Sequence, residues 1–222
     1  MTTSSPAGHD RAAADFILAR TRLVSPPCVP EVRLHLAGEP FQLWRETERR
    51  YGPALPFWAF AWAGGQALAR YVLDHPGVVA GRRVLDLGSG GGLVAIAAAL
   101  AGAAAVVASE VDPLATVAID LNARANQVAL AGVIGDVFDA DPVDADLVLA
   151  GDVFYERAMG ERAARCLERA RSRGATALVG DPGRAYLPRD RFEPIATYDV
   201  PASGPLEGAD VKPATVWRAR DG

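Results

Sequence analysis

A chain of 222 residues with a net charge of −4 suits one α/β domain and is long enough to bury a full core. No basic block interrupts that acidic balance, and Lys212 is the only lysine among 23 basic residues, which argues against the clustered positive footprint of a nucleic-acid binder. Half of the residues are hydrophobic, yet no run approaches about eighteen uninterrupted apolar positions, so no membrane span is expected.

Met1 to about Asp10 reads as a polar tail, expected to be disordered, without the positive and apolar regions of a secretory signal. With it, residues 1–29 form an N-terminal extension to a single domain spanning 1–222. Ala12–Leu23 has helical character, with Phe16, Ile17 and Leu23 on one face, and stops before Ser25-Pro26-Pro27. Glu31–Leu36 alternates apolar and polar residues, which predicts a half-buried strand. Charged Arg45–Arg50 reads as surface. Cys28 and Cys166 match no metal or redox spacing, so no metal site is expected and free thiols in a reducing cytoplasm are.

Pro56–Arg70 crowds Phe57, Trp58, Phe60 and Trp62 ahead of Gly64-Gly65 and a helix running to about Leu73. Packing accounts for Trp58 and Phe60. Trp62 sits beside the Gly-Gly helix entry, where its ring serves either the core or a bound cationic group.

The chain turns on Arg83–Gly92, R-V-L-D-L-G-S-G-G-G, before the apolar run Leu93–Leu100. A buried strand must here bend sharply into a helix. Residues without a Cβ allow that while a ligand lies against the backbone, and the helix N-terminus offers it unpaired N–H groups. Gly88, Ser89, Gly90 and Gly92 are the candidate cofactor contacts. G-x-G-x-G is not the G-x-G-x-x-G dinucleotide spacing. Asp86 beneath the turn would repel a pyrophosphate but suits the cationic amino-acid end of S-adenosylmethionine. Strand Ala104–Ser109 then ends at Glu110, about twenty positions beyond the turn, where an acid holds a ribose diol.

Val111–Gln127 opens with Asp112 as N-cap and Pro113 at the first helical position. Strand Val128–Ile134 leads to Gly135-Asp136-Val137-Phe138. The glycine turn and the following acid resemble those of class I methyltransferases, in whose layout this loop flanks the adenine. Asp136 is then either a turn carboxylate or the acceptor for an adenine amine, with Val137 packed on the ring. Strand Ala145–Ala150 ends in Gly151-Asp152-Val153-Phe154-Tyr155, a carboxyl-end loop of the kind that binds ligands. Asp152 is the candidate for handling a methyl acceptor. Helix Glu156–Arg171, strand Ala175–Val179 and the loop Gly180–Arg184 follow. Phe192–Val200 and Thr215–Arg220 close the chain as an antiparallel pair around Ser203–Gly208.

These stretches resemble the electron transfer flavoprotein beta-subunit lysine methyltransferases, within the seven-β-strand, class I protein-lysine methyltransferases. The likeness is carried by Phe57–Asp74, Val84–Gly90, Asp112–Ala115, Leu121–Asn126, Gly151–Tyr155, Gly180–Arg184 and Thr215–Trp217. The resemblance implies a Rossmann-like α/β fold: a seven-stranded, mostly parallel sheet, helices on both faces, and an antiparallel last strand. It implies S-adenosylmethionine as cofactor and a protein lysine as acceptor, on electron transfer flavoprotein beta subunit or a similar protein. Asp152 and Tyr155 would then act on the amine, while Trp62, Asp86, Glu110, Asp136, Val137 and the glycine turn hold the cofactor. A small-molecule N-methyltransferase and a non-catalytic binding module are the alternatives on the same fold.

Overall fold

The computed structural model describes residues 6–53, 55–140, 144–201 and 210–220. Residues 1–5 of the expected tail and the expected loop Ser203–Gly208 lie outside them. Residues 6–10 belong instead to helix α1 (Pro6–Arg20), which buries Ala13, Phe16 and Ile17. The expected helix end is corrected: Thr21–Val24 leaves the helix and pairs, as β1, antiparallel to β2 (Leu34–Ala37). A backbone ladder outweighs the weak helical preference of Thr and Val there. Arg45–Arg50 lies in helix α2 (Pro40–Tyr51), which buries Leu43 and Thr47, four positions apart on one face.

The central strands of the main sheet, 83–87, 147–151 and 176–181, are buried along most of their length, as parallel strands covered by helices are. Helix α3 (Ala63–Asp74) precedes β3 (Arg83–Leu87), α4 (Leu93–Leu100), β4 (Ala105–Ser109) and α5 (Pro113–Ala125). Then come β5 (Gly132–Ile134), β6 (Leu147–Gly151), α6 (Arg157–Ser172), β7 (Thr176–Asp181), β8 (Phe192–Pro201) and β9 (Val211–Ala219). Strand order is β5-β4-β3-β6-β7-β9-β8, with β9 antiparallel to both neighbours and the ladders from β5 to β7 parallel. The seven strands and the antiparallel last strand agree with the sequence expectation. Strand β5 is shorter than expected. Gln127, at φ 57°, closes α5, and Val128 and Leu130 pack on the core without joining the ladder.

Alternation along one strand divides the core. Leu147 and Leu149 of β6 face α3 and α4, while Val148 and Ala150 face Cys166 and Leu167 of α6. A third cluster joins Phe16 and Ile17 to Leu43, Trp58 and Leu114, with α1 docked on α5. Strand order reverses between β3 and β6, which opens a crevice at their carboxyl ends. Among the described residues, no helix is long and apolar enough to cross a membrane.

Candidate functional site

The turn after β3 needs its glycines. Gly88, Gly90 and Gly92 have φ of 67°, 57° and 86°, the left-handed region that costs other residues strain. Gly91 is demanded by contact instead: a Cβ there would stand 2.6 Å from the carbonyl oxygen of Trp58. The Phe57–Ala59 turn thus lies directly across the glycine turn. Asn122 of α5 donates to Gly91 O at 2.8 Å and accepts from His35 N at 2.8 Å, which ties the turn to β2.

Asp86 is 1 % exposed beneath this turn and accepts from Ser89 Oγ and from Ala95 N, the latter at 3.0 Å. Burial pushes its carboxyl up to about 6 against those two hydrogen bonds, with the Glu110 charge adding to the rise. Glu110 accepts from Gly90 N at 2.8 Å through one oxygen and from Val111 N and Asp112 N through the other. Burial raises it too, opposed by the three N–H groups. Two carboxylates therefore lie under and beside one glycine turn, without a basic partner among the described residues, and a cation placed there relieves both.

A cavity of about 720 Å³ opens over the turn. Gly88, Gly90 and Glu110 line it, with Val111, Pro113, Ala115 and Phe138 as apolar wall. Trp62, Asp152, Tyr155 and Arg184 line it as well. Trp62 donates from Nε1 to Phe57 O at 2.9 Å, and the Phe57 ring is 6.0 Å from that of Trp62 and 5.7 Å from that of Tyr155.

Asp152 is held from two sides. Its φ is 57°, unusual for a non-glycine residue, and it is 8 % exposed. One oxygen accepts from Gly65 N at 2.8 Å, at the positive end of α3, and the other from Arg184 Nη2 at 2.9 Å. Burial raises its carboxyl to about 6, and the Arg184 charge and the Gly65 N–H work against that rise. Asp152 reaches Gly65 because the backbones of α3 and β7 touch: a Cβ on Gly180 would meet Gly64 O at 2.0 Å.

Of the sequence candidates, Trp62, Gly88, Gly90, Glu110, Asp152 and Tyr155 come together on this cavity. Asp86, Ser89 and Gly92 build the turn beneath it. Asp136 and Val137 are not brought there. Asp136 is drawn to Arg162 of α6 at 2.6 Å and to Phe138 N, while Val137 packs into the core against α6. The adjacent Phe138 takes the lining position expected of Val137. Sequence reasoning gave no role to Arg184 or to Asp181, which is 1 % exposed and accepts from Gly183 N and Arg184 N, both at 2.7 Å. The signal for both was the run Gly180–Arg184: a carboxylate, a proline and a glycine at a strand tip make a fixed turn that aims the arginine.

Comparison with known proteins agrees with this geometry. Residues 66–151 match the family model of ribosomal protein L11 methyltransferase (PrmA). The chain is 37 % identical over 221 residues to the electron transfer flavoprotein beta subunit lysine methyltransferase of Danio rerio, covering 96 % of this chain and 86 % of that protein. Against the Homo sapiens protein of that name, identity is 35 % over 197 residues, covering 85 % and 74 %. A putative RNA methyltransferase structure from Pyrococcus horikoshii superposes with a TM-score of 0.52 at 17 % identity, over 96 % of this chain and 99 % of that one, a likeness of fold alone.

Proposed function

The chain belongs to the electron transfer flavoprotein beta subunit lysine methyltransferases and is an S-adenosylmethionine-dependent protein-lysine methyltransferase, and we propose that it modifies lysines on that beta subunit. The observation that carries the reading is one cavity lined both by a glycine cradle with its acid and by a buried, oriented carboxylate. The residues present fit the cofactor. The volume of about 720 Å³ lies within the ~300–1,000 Å³ of small-molecule sites, and Gly88 and Gly90 on its lining hold left-handed φ that residues with a Cβ rarely adopt. Glu110 would hold the ribose hydroxyls and Asp86 the cationic amino-acid end through the turn. Phe138 and Val111 offer apolar faces to a flat base, in place of Asp136 and Val137.

When bound, the cofactor supplies an electrophilic methyl group on a good leaving group, so the protein's work is alignment. A lysine amine of pKa about 10.4 must arrive neutral, and the aromatic walls Trp62 and Tyr155 favour the uncharged form by excluding water. Asp152 would accept a hydrogen bond from that amine and aim its lone pair. Gly65 N–H and Arg184 hold the carboxylate still while it does so. This division makes Asp152 an orienting group more than a strong base, because a charged carboxylate also stabilises ammonium.

Mass spectrometry of the beta subunit, after incubation with enzyme and cofactor, is expected to find methyl groups on lysines. Label appearing only in the small-molecule fraction would replace this substrate with a free amine. For the cradle, Glu110→Ala is expected to weaken S-adenosylmethionine binding about 10- to 100-fold by calorimetry, the worth of a hydrogen bond to a charged group. Gly90→Val is expected to do at least as much, by strain at φ 57°. Parental affinity in both would remove this assignment of the cradle.

A further inference from the structure

A second, smaller hollow adjoins the cavity. It measures about 220 Å³ and is lined by Pro40, Phe41 and Trp44 of α2 with Leu55, Phe57 and Trp62. Pro56 and Phe60 complete the lining, so no charged side chain takes part. The volume falls below the ~300 Å³ at which small-molecule sites begin, which leaves room for one large side chain rather than a cofactor. Phe41 is 57 % exposed and Trp44 39 %, and neither lines the larger cavity. Aromatic surface left in water this way, in contact with a reactive mouth, marks an interaction site more often than chance exposure.

Leu55, Phe57 and Trp62 line both spaces. The rings run in series: Tyr155 to Phe57 is 5.7 Å, Phe57 to Trp62 6.0 Å, and Trp62 to Phe60 5.6 Å. One or two ring spacings therefore separate the acceptor channel from the hollow. At about 3.3 Å per residue, an extended chain crosses that gap in roughly two to four residues.

We propose that this hollow receives an apolar side chain of the substrate protein, two to four residues from the lysine that enters beside Asp152. The inference rests on the protein-lysine reading above and deepens it by defining a substrate sequence: a lysine with a bulky aliphatic or aromatic neighbour at that spacing. A second copy of this chain is a poor occupant. A partner seated on the shared wall would cover the mouth through which a protein substrate must enter. The charge-free lining sets the occupant's chemistry, and Phe41 and Trp44 act as its anchors, in the manner of aromatic hot spots beside a binding pocket.

The test is steady-state methyl transfer to electron transfer flavoprotein beta subunit by the parent, Phe41→Ala and Trp44→Gln, with cofactor affinity measured alongside. Both variants are expected to raise KM for the protein about tenfold, with kcat and S-adenosylmethionine affinity at parental values. If Trp44→Gln does not fold, the more exposed Phe41→Ala carries the test. Parental KM in the variants overturns the docking site and leaves the enzyme's activity standing. A parent that binds cofactor yet methylates no lysine on this protein removes the substrate reading and the docking site together. A dimer by light scattering that Phe41→Ala dissociates gives the hollow to a second copy and also overturns the proposal.

Discussion

Replacing Asp152 by alanine is expected to cut methyl transfer between about 10²- and 10⁴-fold while S-adenosylmethionine still binds. Among the described residues the carboxylate bonds Gly65 N and Arg184 rather than the glycine turn, so its removal leaves the cradle of Gly88, Gly90 and Glu110 in place. Two losses then fall on the amine. It loses the group that aims its lone pair, and it meets a guanidinium that has lost its bonded carboxylate and keeps the Asp181 charge beside it, because Arg184 bonds Asp152 at 2.9 Å in the parent. That partly exposed positive charge repels an arriving ammonium and adds to the loss. Acid pH should mimic the mutation. The carboxyl is raised to about 6 by burial, so it takes up a proton as pH falls through that value, and kcat/KM should fall with it. In Asp152→Asn that lower limb of the profile should vanish, leaving only the rise at higher pH from deprotonation of the lysine. Equal turnover by mutant and parent, or an unchanged acid limb in Asp152→Asn, would take Asp152 out of the reaction.

How far these residues can be read from the sequence depends on how far apart along the chain their partners lie. The turn after β3 is legible because strand, glycines and helix follow one another, and the start of α5 because Asp112 caps it locally, accepting from Leu114 N at 2.8 Å. Asp136 is the opposite case. Its fate is decided by Arg162, which sits 26 positions away on a helix of the other face. Nothing in Gly135–Phe138 itself distinguishes a carboxylate that an arginine will take from one left facing the crevice. Asp152 combines both kinds. Its place at a strand tip is readable, but its partners Gly65 and Arg184 lie 87 and 32 positions distant and meet only through the packing of α3 on β7. Helix α2 is illegible for a different reason. Only Leu43 and Thr47 are buried in a charged segment, and two positions give too little periodicity to set a helix apart from a solvated loop.

The same packing of α3 on β7 yields the second large effect. Gly64→Ala is expected to lower the unfolding free energy by about 3 kcal/mol, the upper part of the usual overpacking range, and to depress kcat in what remains folded. A Cβ on Gly64 would stand 2.3 Å from Gly180 O and 2.6 Å from Asp152 Oδ2, closer than real Cβ atoms come to either. Neither side yields locally. Leu68 and Val72 seat α3 in the core with no exposure, and Gly180 belongs to a strand paired on both edges, with Gly151 and with Val216. The helix must back away as a body. That withdraws Gly65 N from Asp152, and the carboxylate loses one of the two groups that fix it. Gly132→Ala is the control, since nothing lies within 4 Å of its Cβ and its backbone is not left-handed; it should stay within about 0.5 kcal/mol of the parent. Urea unfolding gives the first quantity, with the m-value unchanged if both variants stay two-state. Turnover well below the Gly64→Ala midpoint gives the second, free of any unfolded fraction. If Gly64→Ala keeps the parental midpoint and kcat, then α3 does not need this close approach to hold Asp152 in place.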